Sequence, residues 1–194
     1  MKKLFITILI LFTISTGNFA QRNPMSVGVS GTFSIPMGDF NDIATMGYGL
    51  KGNFLFGISR KFEATGSVGF ISWGRDIPTI TEILEAQADG SFISIPIMVG
   101  ARLYFPQRNL MPYATIELGL HIFGISDYTI TISDVKTKYK GSTNVDFGFG
   151  FGGGAVYEIS DGFKLDGNLK YNIINEESSI AHLTMELGFV FGIN

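Results

Sequence analysis

What most constrains this chain is an alternation sustained over eight segments, 25–36, 47–58, 63–74, 92–105, 113–124, 144–157, 163–174 and 182–193. On one parity these segments carry apolar residues with interspersed small ones, as in Phe147, Phe149 and Phe151 or Leu183, Met185, Leu187 and Phe189, and no charged residue occurs there. The other parity holds Lys51, Glu63, Arg102, Glu117, His121, Asp146, Lys164, Asp166, Lys170, His182 and Glu186. Successive side chains of a strand point to opposite faces, so a period of two means strands with one apolar and one polar face.

Parity does not say which face is outside. A soluble sandwich or small-ligand barrel hides the apolar face; a transmembrane barrel turns it to lipid and keeps a polar lumen. Length favours the second, because segments of 12 to 14 residues are long enough for a tilted crossing of the hydrocarbon core, whereas soluble strands average about 5–6. The connectors agree. Those at 59–62, 106–112 and 158–162 are short, while 37–46, 75–91, 125–143 and 175–181 are mostly longer. That is the pattern of periplasmic turns and external loops, and it puts both termini on the periplasmic side. Aromatic residues collect near segment ends (Tyr48, Phe56, Phe62, Phe70, Trp73, Tyr104, Phe105, Tyr113, Tyr157, Phe163, Tyr171 and Phe191), as interfacial girdles require. Lipid tolerates no open sheet edge, so the eight segments must close. The expected fold is all-β, an eight-stranded antiparallel up-and-down transmembrane β-barrel.

Composition supports export to an envelope. Mean hydropathy is +0.28, yet after residue 20 no stretch of about 18 apolar residues offers a transmembrane helix. Residues 1–20, MKKLFITILILFTISTGNFA, have a basic start, an apolar run from Leu4 to Ile14 and a small residue at Ala20, the anatomy of a secretory signal peptide, with cleavage after Gly17 as the alternative. The barrel domain is then 21–194. Losing Lys2 and Lys3 takes the formal charge from −3 to −5, which argues against nucleic acid as a partner. The chain has no cysteine, excluding disulfides, thiol catalysis and a lipid-anchored cysteine.

The stretch FGFGFGGG at 147–154 satisfies G-x-G-x-x-G as a string, but the alternating AVYEISDGFKLDGNLKY that follows opens no helix to hold a pyrophosphate. As a strand it has a phenylalanine face for lipid and a strip of Gly148, Gly150, Gly152 and Gly154 for the lumen. An eight-stranded barrel is only just wide enough to be filled by side chains. Such a strip makes room for long groups on segments five and seven.

With these features in place, GDF at 38–40, IPIMVGARLYF at 95–105, PYATIELGL at 112–120 and GFGGGAVYEIS at 150–160 resemble the outer-membrane β-barrel domain family, the small porin-family barrels of OmpX and OmpA type. The resemblance covers residues 25–194 and implies an integral outer-membrane protein of a Gram-negative cell. It also implies outer-membrane lipid and lipopolysaccharide as surroundings and the barrel-assembly machinery as a partner during insertion. Family chains usually end on an aromatic residue read by that machinery; this one ends Phe191-Gly192-Ile193-Asn194.

Hairpins centred near 109–110, 133–134 and 178 would set Arg102 opposite Glu117, His121 opposite Asp146 and Lys170 opposite Glu186. With Lys51 and Asp166 these form a lumenal charge network, because a charge left unpaired in a narrow dry interior is costly. Balanced signs read as a plug rather than an ion path. An enzyme acting on lipid would need its histidine and serine reachable from the lipid face, and His121 is on the lumenal parity. Two histidines without cysteine make no persuasive zinc site, and no cofactor, metal or catalytic group is assigned.

Alternation runs on past Gly124. Tyr128, Ile130 and Ile132 continue the outward parity of segment five, and Val135, Thr137 and Tyr139 that of segment six, with Lys136, Lys138 and Lys140 along the other face and Ser133-Asp134 at the tip. A projecting strand pair here could bind a protein by edge pairing, or lipopolysaccharide phosphates through its lysines. Residues 80–88, ITEILEAQA, suggest one or two helical turns over the mouth. The resulting functional reading is a structural or surface-interaction barrel with a plugged lumen. A small channel for ions or hydrophobic solutes is the rival, and a lipid-modifying enzyme stands third.

Overall fold

The structure, a computed structural model, describes residues 25–75, 86–105, 109–132, 135–175 and 179–193. The expected leader at 1–20 lies outside them. Eleven strands occur among the described residues: β1 (Met25–Met37), β2 (Ala44–Gly57), β3 (Phe62–Arg75), β4 (Ala86–Asp89), β5 (Ser91–Tyr104), β6 (Leu110–Ile125), β7 (Tyr128–Ile132), β8 (Val135–Tyr139), β9 (Ser142–Ser160), β10 (Phe163–Asn175) and β11 (Ile180–Ile193). Eight of them close an antiparallel barrel in the order β1-β11-β10-β9-β6-β5-β3-β2. Every segment found by alternation is one wall strand. The chain turns tightly at the short end, where Gly162 takes the left-handed conformation (φ 77) that a two-residue hairpin turn demands.

The faces divide by parity. Leu50, Phe54, Val68, Val99, Ile116, Leu118, Val145, Phe149, Leu187 and Phe189 are exposed on the outside, while Lys51, Arg102, Glu117, Asp166, Lys170 and Glu186 are buried within. The glycine strip of β9 lets neighbouring side chains cross the bore. A Cβ on Gly148 would stand 2.6 and 2.8 Å from ring atoms of His121 on β6, and one on Gly154 would stand 2.6 Å from Asn168 on β10 and 2.7 Å from Tyr113 on β6.

Two hairpin registers differ from those expected. β5 and β6 pair Arg102 with Thr115 and Gly100 with Glu117, and β10 and β11 pair Lys170 with Thr184 and Asn168 with Glu186. Each is a slip of two residues. A two-residue slip leaves every side chain on its own face, so the hydrophobic pattern cannot distinguish the two registers. His121 does stand opposite Asp146.

The interior is also less polar than parity suggests. Between β1 and β2 a short 3-10 turn, Gly38–Asp42, occupies most of a connector shorter than the expected 37–46 and inserts Phe40. Phe40 packs edge-on against Trp73 (5.5 Å), Phe92 (5.4 Å) and Phe123 (5.9 Å), with Ile71, Ile174 and Ile180 in the same cluster. Trp73, expected in an interfacial girdle, is therefore completely buried, and Tyr113 is inside too. Both lie on the lumenal parity, and burying an indole or phenol ring there contributes more than exposing it at the interface as long as its polar atom finds a partner. Trp73 donates to Ser34 Oγ at 3.0 Å and Tyr113 to Asp166 Oδ1 at 2.6 Å.

Beyond the wall, β4, β7 and β8 form a second sheet in that order. Ala86–Asp89 is strand, paired from Ala86↔Ile132 to Asp89↔Thr129, rather than the end of a helical turn; residues 80–85 and the tip at 133–134 fall outside the described residues.

Candidate functional site

Two regions carry the polar chemistry, the middle of the bore and the outer sheet. In the bore, β2, β6, β10 and β11 each contribute one charged side chain to a closed four-membered cluster. Lys170 Nζ lies 2.9 Å from Glu117 Oε2 and 3.0 Å from Glu186 Oε1, and Lys51 Nζ lies 3.1 Å from Glu117 Oε2 and 3.4 Å from Glu186 Oε1. Asn168 adds a hydrogen bond to Glu186 Oε2 at 3.1 Å. All four charged groups are buried, Lys170 to 2% exposure. The cluster is neutral overall and links strands on opposite sides of the barrel. A cavity of about 20 Å3 lies beside it, bordered also by His121 and His182, close to the minimum of about 10–15 Å3 that one water needs.

Arg102, expected against Glu117, pairs instead with Asp166 across the bore at 2.8 Å, and its guanidinium sits 4.4 Å from the Tyr113 ring centroid. The register slip explains the exchange: Glu117 moves one pleat toward the loop end and meets the two lysines. Tyr104 donates to Glu63 at 2.7 Å in the same layer. Six of the eight residues assigned to the lumenal network are thus in ion pairs, and the sequence reading missed that they separate into a cluster of four and a pair.

The remaining two behave differently. His121 Nδ1 is 3.1 Å from Ser94 Oγ, while His121 Nε2 and Asp146 Oδ2 have no hydrogen-bond partner. Ser94, His121 and Asp146 stand on three adjacent strands, a set that invites comparison with a nucleophilic triad. Its geometry does not support one: the histidine is not engaged by the aspartate, and Ser94 is completely buried. Phe92 and Phe123 bury their rings on the loop-end side of it. Among the described residues no group of three or more histidine, aspartate or glutamate side chains could hold a metal.

The outer sheet is built from the same chain logic as the wall. Ile125 pairs with Ser142 at the end of β6–β9, Tyr128 pairs with Tyr139 at the start of β7–β8, and two residues intervene on both strands. The ladder is therefore in one register from Leu110↔Tyr157 to Ile132↔Val135. Asp127 Oδ1 bridges the gap by accepting from Gly141 N–H at 2.8 Å. On the other side, Phe92↔Ile125 and Asp89↔Thr129 enclose two residues on one strand and three on the other, the count of a β-bulge. That bulge reverses the parity of β4 relative to β5, which alternation read strand by strand could not reveal. The side chains of Tyr128, Ile130 and Lys136 lie outside the described residues. Thr137, Lys138, Tyr139 and Lys140 are exposed. β8 and β4 are the sheet's edges among the described residues.

Comparison with known proteins agrees with this architecture. The family model described as outer membrane protein beta-barrel domain matches residues 6–191. The fold is similar to OprG from Pseudomonas aeruginosa (TM-score 0.59, 9% identity, 89% of this chain and 96% of that one covered) and to a major outer membrane protein from Thermus thermophilus (0.59, 13%, 89% and 100%). It is also similar to Ail from Yersinia pestis in complex with the heparin analogue sucrose octasulfate (0.53, 13%, 88% and 97%). At these identities the likeness is one of fold. No curated protein matches the chain.

Proposed function

The chain belongs to the outer membrane protein β-barrel domain family, and from that premise we propose that it is a closed outer-membrane scaffold whose outer sheet meets surface ligands. In this reading residues 1–20 export it, the assembly machinery inserts it among outer-membrane lipids, and both termini stay in the periplasm with the short turns. The observation that carries the proposal is the continuous register of β6-β7 with β8-β9, which makes the outer hairpin an extension of the wall. The favoured ligand is a polyanion. Lys138 and Lys140 are exposed, and a structurally similar barrel, Ail, is seen with a sulfated sugar. Lipopolysaccharide phosphates have the same chemistry. A surface protein pairing with the β8 edge is the second reading, favoured by that edge's position in the sheet.

The filled bore supports a scaffold over a channel, since a cavity of about 20 Å3 leaves no room for a hydrated ion. In planar bilayers the protein should pass little or no steady current; large, stable channels would promote the channel reading instead. For the surface role, residues 128–139 are deleted and the ends closed by a short turn. The variant should still migrate as a folded barrel in unboiled gel samples, and liposomes carrying it should lose their binding to heparin. Retained binding, or failure of the variant to fold, would remove the outer sheet from the proposal.

A further inference from the structure

At the long-loop end, beside the Gly38–Asp42 turn, an open recess of about 370 Å3 descends next to β6, β9 and the start of β11. That is within the range of about 300–1,000 Å3 typical of small-molecule sites. Its walls are apolar: Phe40, Ile43, Phe92, Phe123, Ile125 and Ile180. The polar groups bordering it are Asp39, Ser142, Asn144 and Ser179. The aromatic walls are held in place, since Phe40 lies edge-on to Phe92 and Phe123 while those two rings stack at 6.1 Å. Below the recess the four-residue charge cluster fills the bore, so it is a blind site rather than the head of a passage.

The charge of the lining selects among occupants. Among the described residues Asp39 is the one charged residue lining it and no lysine, arginine or histidine does; the Arg75 guanidinium stands behind the wall, 5.7 Å from the ring centroid of Phe92. A carboxylate head would meet a like charge with no cation among the described lining residues to offset its lost hydration, whereas an ammonium or hydroxyl head can donate to Asp39. We infer that this recess binds a small amphiphile with an aryl or short alkyl body and a cationic or hydroxyl head, and discriminates against the matching carboxylate.

The chain carries its own reporter. Trp73 is the sole tryptophan, and its ring lies 5.5 Å from Phe40, which lines the recess. Trp73 fluorescence of the full barrel in lipid nanodiscs is followed during titration with 4-phenylbutylamine, 4-phenylbutanol and 4-phenylbutyrate, three probes of one body and different heads. The amine should saturate and bind about threefold tighter than the alcohol and about tenfold or more tighter than the butyrate, a tenfold ratio being about 1.4 kcal/mol. Asp39→Asn should bring amine and alcohol to the same affinity. Ser142→Phe, which fills the recess from its rim, should abolish saturable binding of all three. Equal or non-saturating responses to the three probes overturn the inference, as does a saturable response that survives in folded Ser142→Phe. If Ser142→Phe fails to fold by gel migration, Asp39→Asn decides alone: Asp39 is exposed on its turn and the change is isosteric, so an amine preference that persists in it defeats the assignment.

Discussion

Lys170 and Lys138 occupy equivalent places in the alternation and opposite places in the molecule. Both stand on the parity that faces the bore within the wall. Lys170 is 2% exposed and held between two carboxylates at 2.9 and 3.0 Å; Lys138 is exposed on the outer sheet. What separates them is distance along the strand. Within the wall that parity means a buried position where an ammonium must be paired; past Ser142 the same parity means water. One lysine is enclosed among carboxylates, and the other faces solvent.

The largest expected effect breaks the pairing in the bore. Lys170→Met leaves Glu117 and Glu186 sharing Lys51 alone, and removing one partner of a buried ion pair costs about 3–5 kcal/mol. Urea unfolding of the refolded barrel should show that loss, and Lys170→Met combined with Glu186→Met should cost less than Lys170→Met alone, because a neutral pair leaves fewer orphaned charges. Lys138→Met should leave the midpoint unmoved. If the two lysines respond alike, burial is not what distinguishes them.

Next comes the aromatic cluster above the charges. Phe40→Ala should cost about 3 kcal/mol, the lower end for a buried phenylalanine because its short turn can partly close the gap. The emission of Trp73, which Phe40 covers, should shift to the red. An unchanged spectrum would mean that Phe40 does not seal the bore.

A slightly smaller effect tests the outside of the same hairpin. Phe149 on β9 and Thr137 on β8 share the outward parity, but only Phe149 lies in the lipid-facing band. Phe149→Arg should destabilise by about 2–4 kcal/mol near the midplane, while Thr137→Arg should stay within about 0.5 kcal/mol, as surface substitutions do. A large penalty at Thr137 would show that the bilayer, rather than water, surrounds the outer sheet.

These contrasts also mark how far the sequence could be read. The eight wall strands and the two faces of each follow from a period of two, and segment length with the short and long connectors decides which face is outward. Wherever one face is apolar and the other charged, the pattern assigns residues to opposite faces without ambiguity; Phe149 and Lys170 illustrate it. Registers between hairpins do not follow, because a slip of two preserves both faces; that is why Arg102 meets Asp166 rather than Glu117. The apolar lid was hidden for another reason. Phe40 sits in a connector with no periodicity, and Trp73 near a strand end could serve either a girdle or a core. Pairing of β4 with β7 was hidden by the bulge that reverses its parity. The expected helical turn at 80–88 rested on local composition, which a neighbouring strand edge outweighs at Ala86–Asp89.

The smallest effect on stability is the most telling for function. Replacing Lys136, Lys138 and Lys140 together with Gln removes three positive charges from the outer hairpin without touching the cluster in the bore, so gel migration and the urea midpoint should match the parent protein. Binding to heparin should fall sharply and lose its dependence on salt, since contacts between exposed charges are screened over about 8–10 Å at ordinary ionic strength. Edge pairing with a protein would survive the substitutions, because it uses the backbone of β8. Undiminished, salt-sensitive heparin binding by the triple variant would place the polyanion contact elsewhere on the loop end. Undiminished binding that ignores salt would mean that the outer sheet works through its edge, and that Lys138 differs from Lys170 only in having less to do.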